Sequence, residues 1–138
     1  MTFKTYFENK NILYSGVVLD SESRKRLLSS PEIKKYLNSN HEIIAHHMTI
    51  KLGGLSGTSH EKRIGSVEDI LATSVGVSDD GLVLAVGVNG VSDNKIPHVT
   101  IGVDRQNGGK PVMSNYIKNW IPLENPIPLK GIVEEISK

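Results

Sequence analysis

Apolar and polar residues alternate along two short segments of the chain, residues 42–52 and residues 97–103. Each segment carries the same order of histidine, apolar residue, threonine and isoleucine, once as His47–Ile50 and once as His98–Ile101. Side chains on a β-strand point alternately to opposite faces. The pattern therefore predicts two strands, each with an apolar face for a core and a polar face that carries one imidazole and one hydroxyl. We expect the two polar faces to share one cleft.

The rest of the pattern predicts short strands and few helices. Clusters of β-forming residues indicate strands at residues 12–19, 71–77, 82–88 and 129–136. Helices are expected at residues 21–29, at residues 32–37 after Pro31, and from an N-cap at Ser114 to Trp120. Residues 61–70 fit either a strand or a short helical turn.

Turn signals connect these elements mainly as local hairpins. Asp80-Gly81 lies between two apolar runs and predicts a tight turn, whereas Pro122, Pro126 and Pro128 predict a loop before the last strand. We therefore expect one domain, residues 1–138, of the α+β class, with about seven strands in mostly antiparallel sheets and two or three helices.

Composition changes this picture in three ways. The formal net charge is only +1, so we expect no binding to long DNA, although a local pocket can still attract a small phosphate. The chain has no cysteine, which excludes disulfides and thiolate chemistry and is typical of a reducing cytoplasm. No apolar run approaches the roughly 18 residues needed to cross a bilayer, and residues 1–10 lack the apolar stretch of a signal peptide.

Paired imidazoles and hydroxyls suit an in-line displacement at phosphorus. An imidazole titrates near pH ~6.5, so one of His47 and His98 can accept a proton while the other donates one. Thr49 and Thr100, each two residues further along the same face, can donate hydrogen bonds to the non-bridging oxygens of a phosphate. This chemistry requires no metal and no cofactor.

The two motifs resemble the paired His-x-Thr motifs of the two-histidine (2H) phosphoesterase superfamily. That superfamily includes bacterial RNA 2′,3′-cyclic phosphodiesterases, the phosphodiesterase domain of fungal tRNA ligase, and phage nucleases that destroy cyclic-nucleotide defence signals. Three flanking segments are similar to a small branch of it: residues 14–19, 43–50 and 108–115. The resemblance implies a bilobal fold with pseudo-two-fold symmetry, in which His47, Thr49, His98 and Thr100 face each other across a cleft.

The resemblance also implies a function. We expect a metal-independent phosphodiesterase that acts on a 2′,3′-cyclic phosphate, a 2′–5′ linkage or a cyclic di- or oligonucleotide. Its partner is then a nucleotide or an RNA end; the sequence leaves the linkage, the acid and base assignments and the oligomeric state open. The alternative is a nucleotide-binding or RNA-end-binding module on the same fold that performs no turnover.

The histidines also have interpretations other than catalysis. One His-x-Thr in a strand is ordinary strand composition, and on that view the two polar faces do not converge. His46 is expected on the apolar face as a hydrogen-bonded core residue, and His41 and His60 in surface loops. A zinc site from His46, His47 and His98 is disfavoured, because adjacent strand residues point in opposite directions and no carboxylate is placed to help.

Five further residues are candidates for substrate binding. Lys51 shares the predicted face of His47, and Lys110 follows a glycine pair whose N–H groups can face an anion. A solvated charge explains Lys51 equally well, and a plain mobile loop explains the Lys110 segment equally well. Tyr14 and Trp120, and with them Tyr116, are candidate platforms for stacking a base. Packing in the core is the competing role for these aromatic rings.

Overall fold

A computed structural model describes residues 11–137, which contain seven β-strands and two α-helices. The strands are β1 (Ile12–Leu19), β2 (Glu42–Ile43), β3 (His47–Leu52), β4 (Val67–Val77), β5 (Val83–Asn89), β6 (His98–Val103) and β7 (Trp120–Ser137). The helices are α1 (Ser21–Ser29) and α2 (Pro31–Lys34), with three short 3-10 helices at Glu61–Arg63, Arg105–Asn107 and Pro111–Tyr116. The prediction of an α+β chain with mostly antiparallel strands is confirmed.

Six of the strands close into an antiparallel barrel. Their order around the ring is β6, β3, β1, β7, β4 and β5, and β5 pairs with β6 to complete it. The short β2 pairs with the far end of β6. Because β3 and β6 are neighbours in this ring, the two histidine-bearing strands lie side by side although 51 residues separate their histidines in sequence.

The interior of the barrel is filled by apolar side chains from the alternating inward positions. Met48 and Ile50 of β3 and Val99 and Ile101 of β6 are completely buried in one main cluster. A second, smaller cluster lies against the other face of β5, where Val83 and Ala85 pack with Ile117 and the half-buried Trp120. The barrel wall is thus covered on part of its outer side, next to β6.

Helix α1 begins where the sequence predicts. The Asp20 carboxylate accepts a hydrogen bond of 2.8 Å from the backbone N–H of Ser23, which satisfies one of the free donors of the first turn. That hydrogen bond also lowers the pKa of Asp20. Leu27 is completely buried in the main cluster, and Leu28 is half-buried against it.

The first histidine strand is not continuous, in contrast to the prediction for residues 42–52. Residues 44–46 leave the strand conformation, and Ala45 has a φ of +43°, a left-handed conformation that few non-glycine residues adopt. The Arg24 side chain fixes this kink by donating to the carbonyl oxygens of Ala45 (2.9 Å) and Ile44 (3.3 Å). The kink shifts the register, so that β2 and β3 both pair with β6.

The predicted loop around the prolines is also wrong, because residues 120–137 form one long strand. Pro122 and Pro128 pair with β4 only, whereas β1 pairs with β7 at residues 131–137. Each of these prolines therefore lies where one side of β7 has no partner strand, which is where a residue without an N–H is tolerated. Pro126 lies between the two stretches of β7 that pair with β4.

Two further local predictions are settled by the structure. Residues 61–70 contain a 3-10 turn, and β4 then begins at Val67. The helix expected to start at Ser114 is instead a 3-10 helix, Pro111–Tyr116, with Ser114 inside it. Residues 1–10, on which the expectation of no signal peptide depends, lie outside the described residues. Among residues 11–137, no helix is both long enough and apolar enough to cross a membrane.

Candidate active site

The register between β3 and β6 brings the two His-x-Thr motifs onto one face. Met48 is paired directly with Val99, and both side chains point into the core. Because strand residues alternate, the histidine and threonine on either side of each must point outward. One step along these antiparallel strands brings His47 level with Thr100 and Thr49 level with His98.

Each histidine is therefore diagonal to the other, across two adjacent strands. Diagonal neighbours on such a pair are about 7–8 Å apart at their Cα atoms, which is within reach of long side chains. His98 is close enough to His47 to influence its titration electrostatically.

His47 is held by contacts on three sides. The Tyr14 ring stacks on it with a centroid separation of 4.3 Å and an angle of 17° between planes. Its Nε2 lies 3.1 Å from the hydroxyl of Thr49, and its Nδ1 lies 3.0 Å from Nδ1 of His46. Burial, together with the charges of His46 and His98, lowers the pKa of His47 to about 4. His47 is therefore neutral at pH 7 and can accept a proton.

The tautomer of His98 follows from one hydrogen bond. Its Nδ1 lies 2.8 Å from the carbonyl oxygen of Ile96, which can only accept, so Nδ1 carries a proton. Nε2 is consequently the atom that can exchange a proton with a ligand. The side chain is 8% exposed, and its ring centroid is 6.3 Å from that of Trp120.

Thr100 is connected to the 3-10 helix that crosses the outer side of β6. Its hydroxyl forms a 2.8 Å hydrogen bond with the hydroxyl of Ser114, which is 1% exposed. Either oxygen can be the donor, so the Thr100 proton is free to turn toward a ligand when Ser114 donates. This contact holds the 3-10 helix beside the second motif.

A cavity of about 480 Å³ opens beside His98. Its wall is mostly apolar and contains two lysines and no acidic side chain, and is formed by Asn94, Lys95, Ile96, His98, Ser114, Asn115, Tyr116, Ile117, Lys118 and Trp120. The volume lies in the range of roughly 300–1,000 Å³ that is typical of small-molecule sites. His47, Thr49 and Thr100 do not line it, so the cavity extends from the second motif only.

Trp120 faces this cavity because two strands make room for its ring. A Cβ on Gly76, the β4 residue paired with Trp120, would lie 2.6 Å from the indole. A Cβ on Gly87, which pairs with His98, would lie 3.4 Å from the same ring. The indole N–H donates to the carbonyl oxygen of Ile117 at 3.1 Å, which fixes the orientation of the ring.

The five candidates for substrate binding are placed differently. Tyr14 lies on the His47 ring and Trp120 in the wall of the cavity. Lys51 pairs with Asp93 at 3.7 Å. The face that it was expected to share with His47 is interrupted, because a register shift between β1 and β3 separates Lys51 from Thr49. Lys110 is exposed and does not line the cavity. Tyr116, which is 74% exposed, does line it.

Two other histidines differ from expectation. His46 is exposed rather than in the core, because the kink at Ala45 reverses the alternation before β3 begins. His41 is buried rather than on the surface: its Nε2–H donates to the carbonyl oxygen of Gly81 (3.0 Å), and its Nδ1 accepts from the Asn38 N–H. His60 is half-buried in the turn that precedes β4.

Three residues of the site were missed by the sequence analysis. Lys95 and Lys118 line the cavity, and Ser114 was interpreted as a helix cap although its hydroxyl bonds to Thr100. Lys95 comes only three residues before His98, so closeness to the motif was a signal that could have found it. Lys118 reaches the cavity only through the path of the 3-10 helix, and the sequence carries no signal for it.

No group of three or more histidine, cysteine or acidic side chains within residues 11–137 is arranged to hold a metal ion. Comparisons of the sequence with protein-family models and with curated proteins find no match. The resemblance of the two motifs to the 2H phosphoesterases therefore depends on the motif residues and their geometry.

Proposed function

We propose that this protein is a metal-independent phosphodiesterase of the 2H type that acts on a nucleotide or RNA-end phosphodiester. The observation that supports the proposal is the pairing of Met48 with Val99, from which it follows that both His-x-Thr motifs face outward side by side. Two proton carriers and two hydroxyl donors on one face are what an in-line displacement at phosphorus needs.

The two histidines then have different roles. His47 is the general base, because its pKa is lowered to about 4 and its ring is neutral at pH 7. His98 is the general acid: its Nδ1–H is engaged by the Ile96 carbonyl, so Nε2–H is the proton that it gives away. An anionic phosphodiester between the rings favours a protonated imidazole on one side of it.

The reaction on a 2′,3′-cyclic phosphate balances as follows. Water attacks phosphorus and loses a proton to His47, the bond from phosphorus to one ribose oxygen breaks, and that oxygen takes a proton from His98. Thr49 and Thr100 donate to the non-bridging oxygens, where negative charge increases in the transition state. The leaving ribose lies on the side of His98, which is also the side of the cavity.

The strand order also favours the 2H fold and its pseudo-symmetry. A two-fold axis through the seam between β3 and β6 would exchange these strands, and it would also exchange β1 with β5 and β7 with β4. The absence of cysteine from the sequence favours a cytoplasmic location, and the small net charge favours a nucleotide or an RNA end over long DNA as the partner.

A panel of substrates tests this proposal. The protein is incubated with 2′,3′-cyclic nucleotides, 2′–5′ linked oligomers and cyclic dinucleotides, and the products are separated by chromatography. We expect His47→Ala and His98→Ala each to lower the rate by about 10²–10⁴, while His60→Ala, a matched control outside the site, retains it. The rate is expected to survive EDTA and to have a bell-shaped pH profile, with an acid limb below the ordinary range of histidine.

Each adverse outcome has a distinct meaning. Activity that survives both alanine substitutions, or that EDTA abolishes, contradicts the two-histidine mechanism. Binding of a panel member without any product supports the alternative, a module that recognises nucleotides or RNA ends and performs no turnover.

A further inference from the structure

The cavity beside His98 has a positive mouth. Lys95 and Lys118 are both exposed residues of its wall. Neither side chain makes an ion pair or a hydrogen bond with another residue of the described part of the chain. The two lysines therefore place positive charge without an acidic partner at the entrance of a cavity whose wall has no acidic residue.

Two acidic residues close to the cavity have other partners and do not neutralise these lysines. Asp93, which lies next to the cavity residue Asn94 in sequence, pairs with Lys51 on the other side. Asp79 accepts a hydrogen bond from Asn119, the neighbour of Lys118, and does not line the cavity.

Between His98 and these lysines, the wall is suited to a flat, partly apolar group. The Trp120 ring is fixed by its hydrogen bond to Ile117 and lies beside the His98 ring. Tyr116 adds a second, exposed aromatic side chain. Stacking of a base on an aromatic ring is worth about 1–3 kcal/mol and tolerates any base. The cavity volume of about 480 Å³ is in the range of small-molecule sites, so we expect it to hold one nucleoside.

We infer that this cavity binds a nucleoside whose second phosphate contacts Lys95 and Lys118. The inference rests on the proposed function, because the first phosphate is the one held between His47 and His98. The substrate class is then narrower: a nucleotide with at least two phosphate groups, such as the end of an oligonucleotide, in place of a mononucleoside cyclic phosphate.

A matched pair of substrates isolates the second phosphate. KM is measured for adenosine 2′,3′-cyclic phosphate and for the same compound with a 5′-phosphate. Exposed ion pairs contribute about two- to five-fold each, so the 5′-phosphate is expected to lower KM by about ten-fold. Lys95→Ala and Lys118→Ala should each reduce that advantage to a few-fold, and the double variant should abolish it. Lys62→Ala, an exposed lysine outside the cavity, is the control.

A binding measurement tests the lysine site without requiring turnover. Trp120 is the only tryptophan of the chain and lines the cavity, so its fluorescence reports occupancy. The protein is titrated with adenosine 3′,5′-bisphosphate and with adenosine 3′-monophosphate. The bisphosphate is expected to bind about ten-fold more tightly, and raised salt should reduce this difference, because exposed charges are screened.

The outcomes separate this inference from the proposed function. Hydrolysis of both cyclic phosphates with equal KM overturns the lysine site and leaves the phosphodiesterase proposal intact. Tighter binding of the bisphosphate, lost in the lysine variants but without any hydrolysis, supports the site and contradicts the enzyme. Equal affinities for the two adenosine compounds, or no response of Trp120 to either, overturn the inference.

Discussion

Acidification should destabilise this protein through His47 in particular. The pKa of His47 is about 4 in the folded chain, against an ordinary value of 6.5. Between pH 6.5 and pH 4 the unfolded chain therefore binds a proton at this histidine and the folded chain does not. The free energy of unfolding falls as the pH falls through this range. Above pH 6.5 both states hold the neutral ring, so the full stability is present there.

The size of the effect follows from the same values. A pKa difference of one corresponds to about 1.4 kcal/mol, so complete acidification would cost about 3 kcal/mol. Because the ring is only partly shielded from water, we expect a loss of about 2 kcal/mol by pH 4.5. That is a substantial part of the stability of about 5–15 kcal/mol that domains have.

Urea unfolding at pH 7 and at pH 4.5 measures this loss. In His47→Gln the titrating group is absent, so the variant should lose about 2 kcal/mol less than the native chain between the two pH values. The carboxylates and the other histidines contribute equally to both proteins and cancel in the comparison. His60→Gln, in which a histidine of a turn is replaced, should follow the native chain. Equal losses for the native chain and His47→Gln would refute the burial of a neutral ring at this position.

Three further predictions concern the scaffold of the site. Thr100→Val leaves the buried Ser114 hydroxyl without its partner, so we expect a stability loss of about 1–3 kcal/mol in urea and a slower reaction. Gly131→Ala places a methyl group against a backbone carbonyl of β1, and the thermal midpoint should fall by several degrees. Met48→Ala, in the core, should cost about 2–5 kcal/mol, whereas Leu52→Ala on the same strand, at 80% exposure, should cost under about 0.5 kcal/mol; similar losses for the two would contradict their opposite burial.

Sequence patterns predict those elements whose cause is local. The strand predicted at residues 12–19 and the helix predicted at residues 21–29 have the same bounds as β1 and α1, because a run of β-formers and an aspartate cap act within a few residues. The hairpin between β4 and β5 forms where Asp80-Gly81 indicates it. The outward faces of the two histidines follow from alternation alone.

The elements that sequence misses depend on tertiary pairing. The strand through Pro122 and Pro128 exists because β4 lies on one side of it and no strand lies on the other, and only the assembled barrel supplies that environment. The kink at Ala45 is imposed by the Arg24 side chain and by pairing with β6. It cannot be deduced from alanine, which has no preference for that conformation.

The candidate site also has features that the sequence predicts and features that it does not. That His47 and His98 share a face could be predicted from two copies of one short pattern. The direction in which the cavity extends could not be predicted from the sequence. It depends on the 3-10 helix that places Ser114 across β6 and leads to Lys118 beside Trp120. The expected lysine, Lys110, belongs to a nearby glycine-rich turn that stays outside the cavity.

The meeting of β3 and β6 also has a kinetic consequence. These strands come together late in any path that builds local hairpins first, because the segment between them spans about a third of the chain and closing it costs entropy. A partly folded chain can form the hairpin of β4 and β5 but has no place where the two imidazoles are neighbours. During refolding from denaturant, recovery of ligand binding should therefore lag behind recovery of the spectroscopic signal that reports β-strand content.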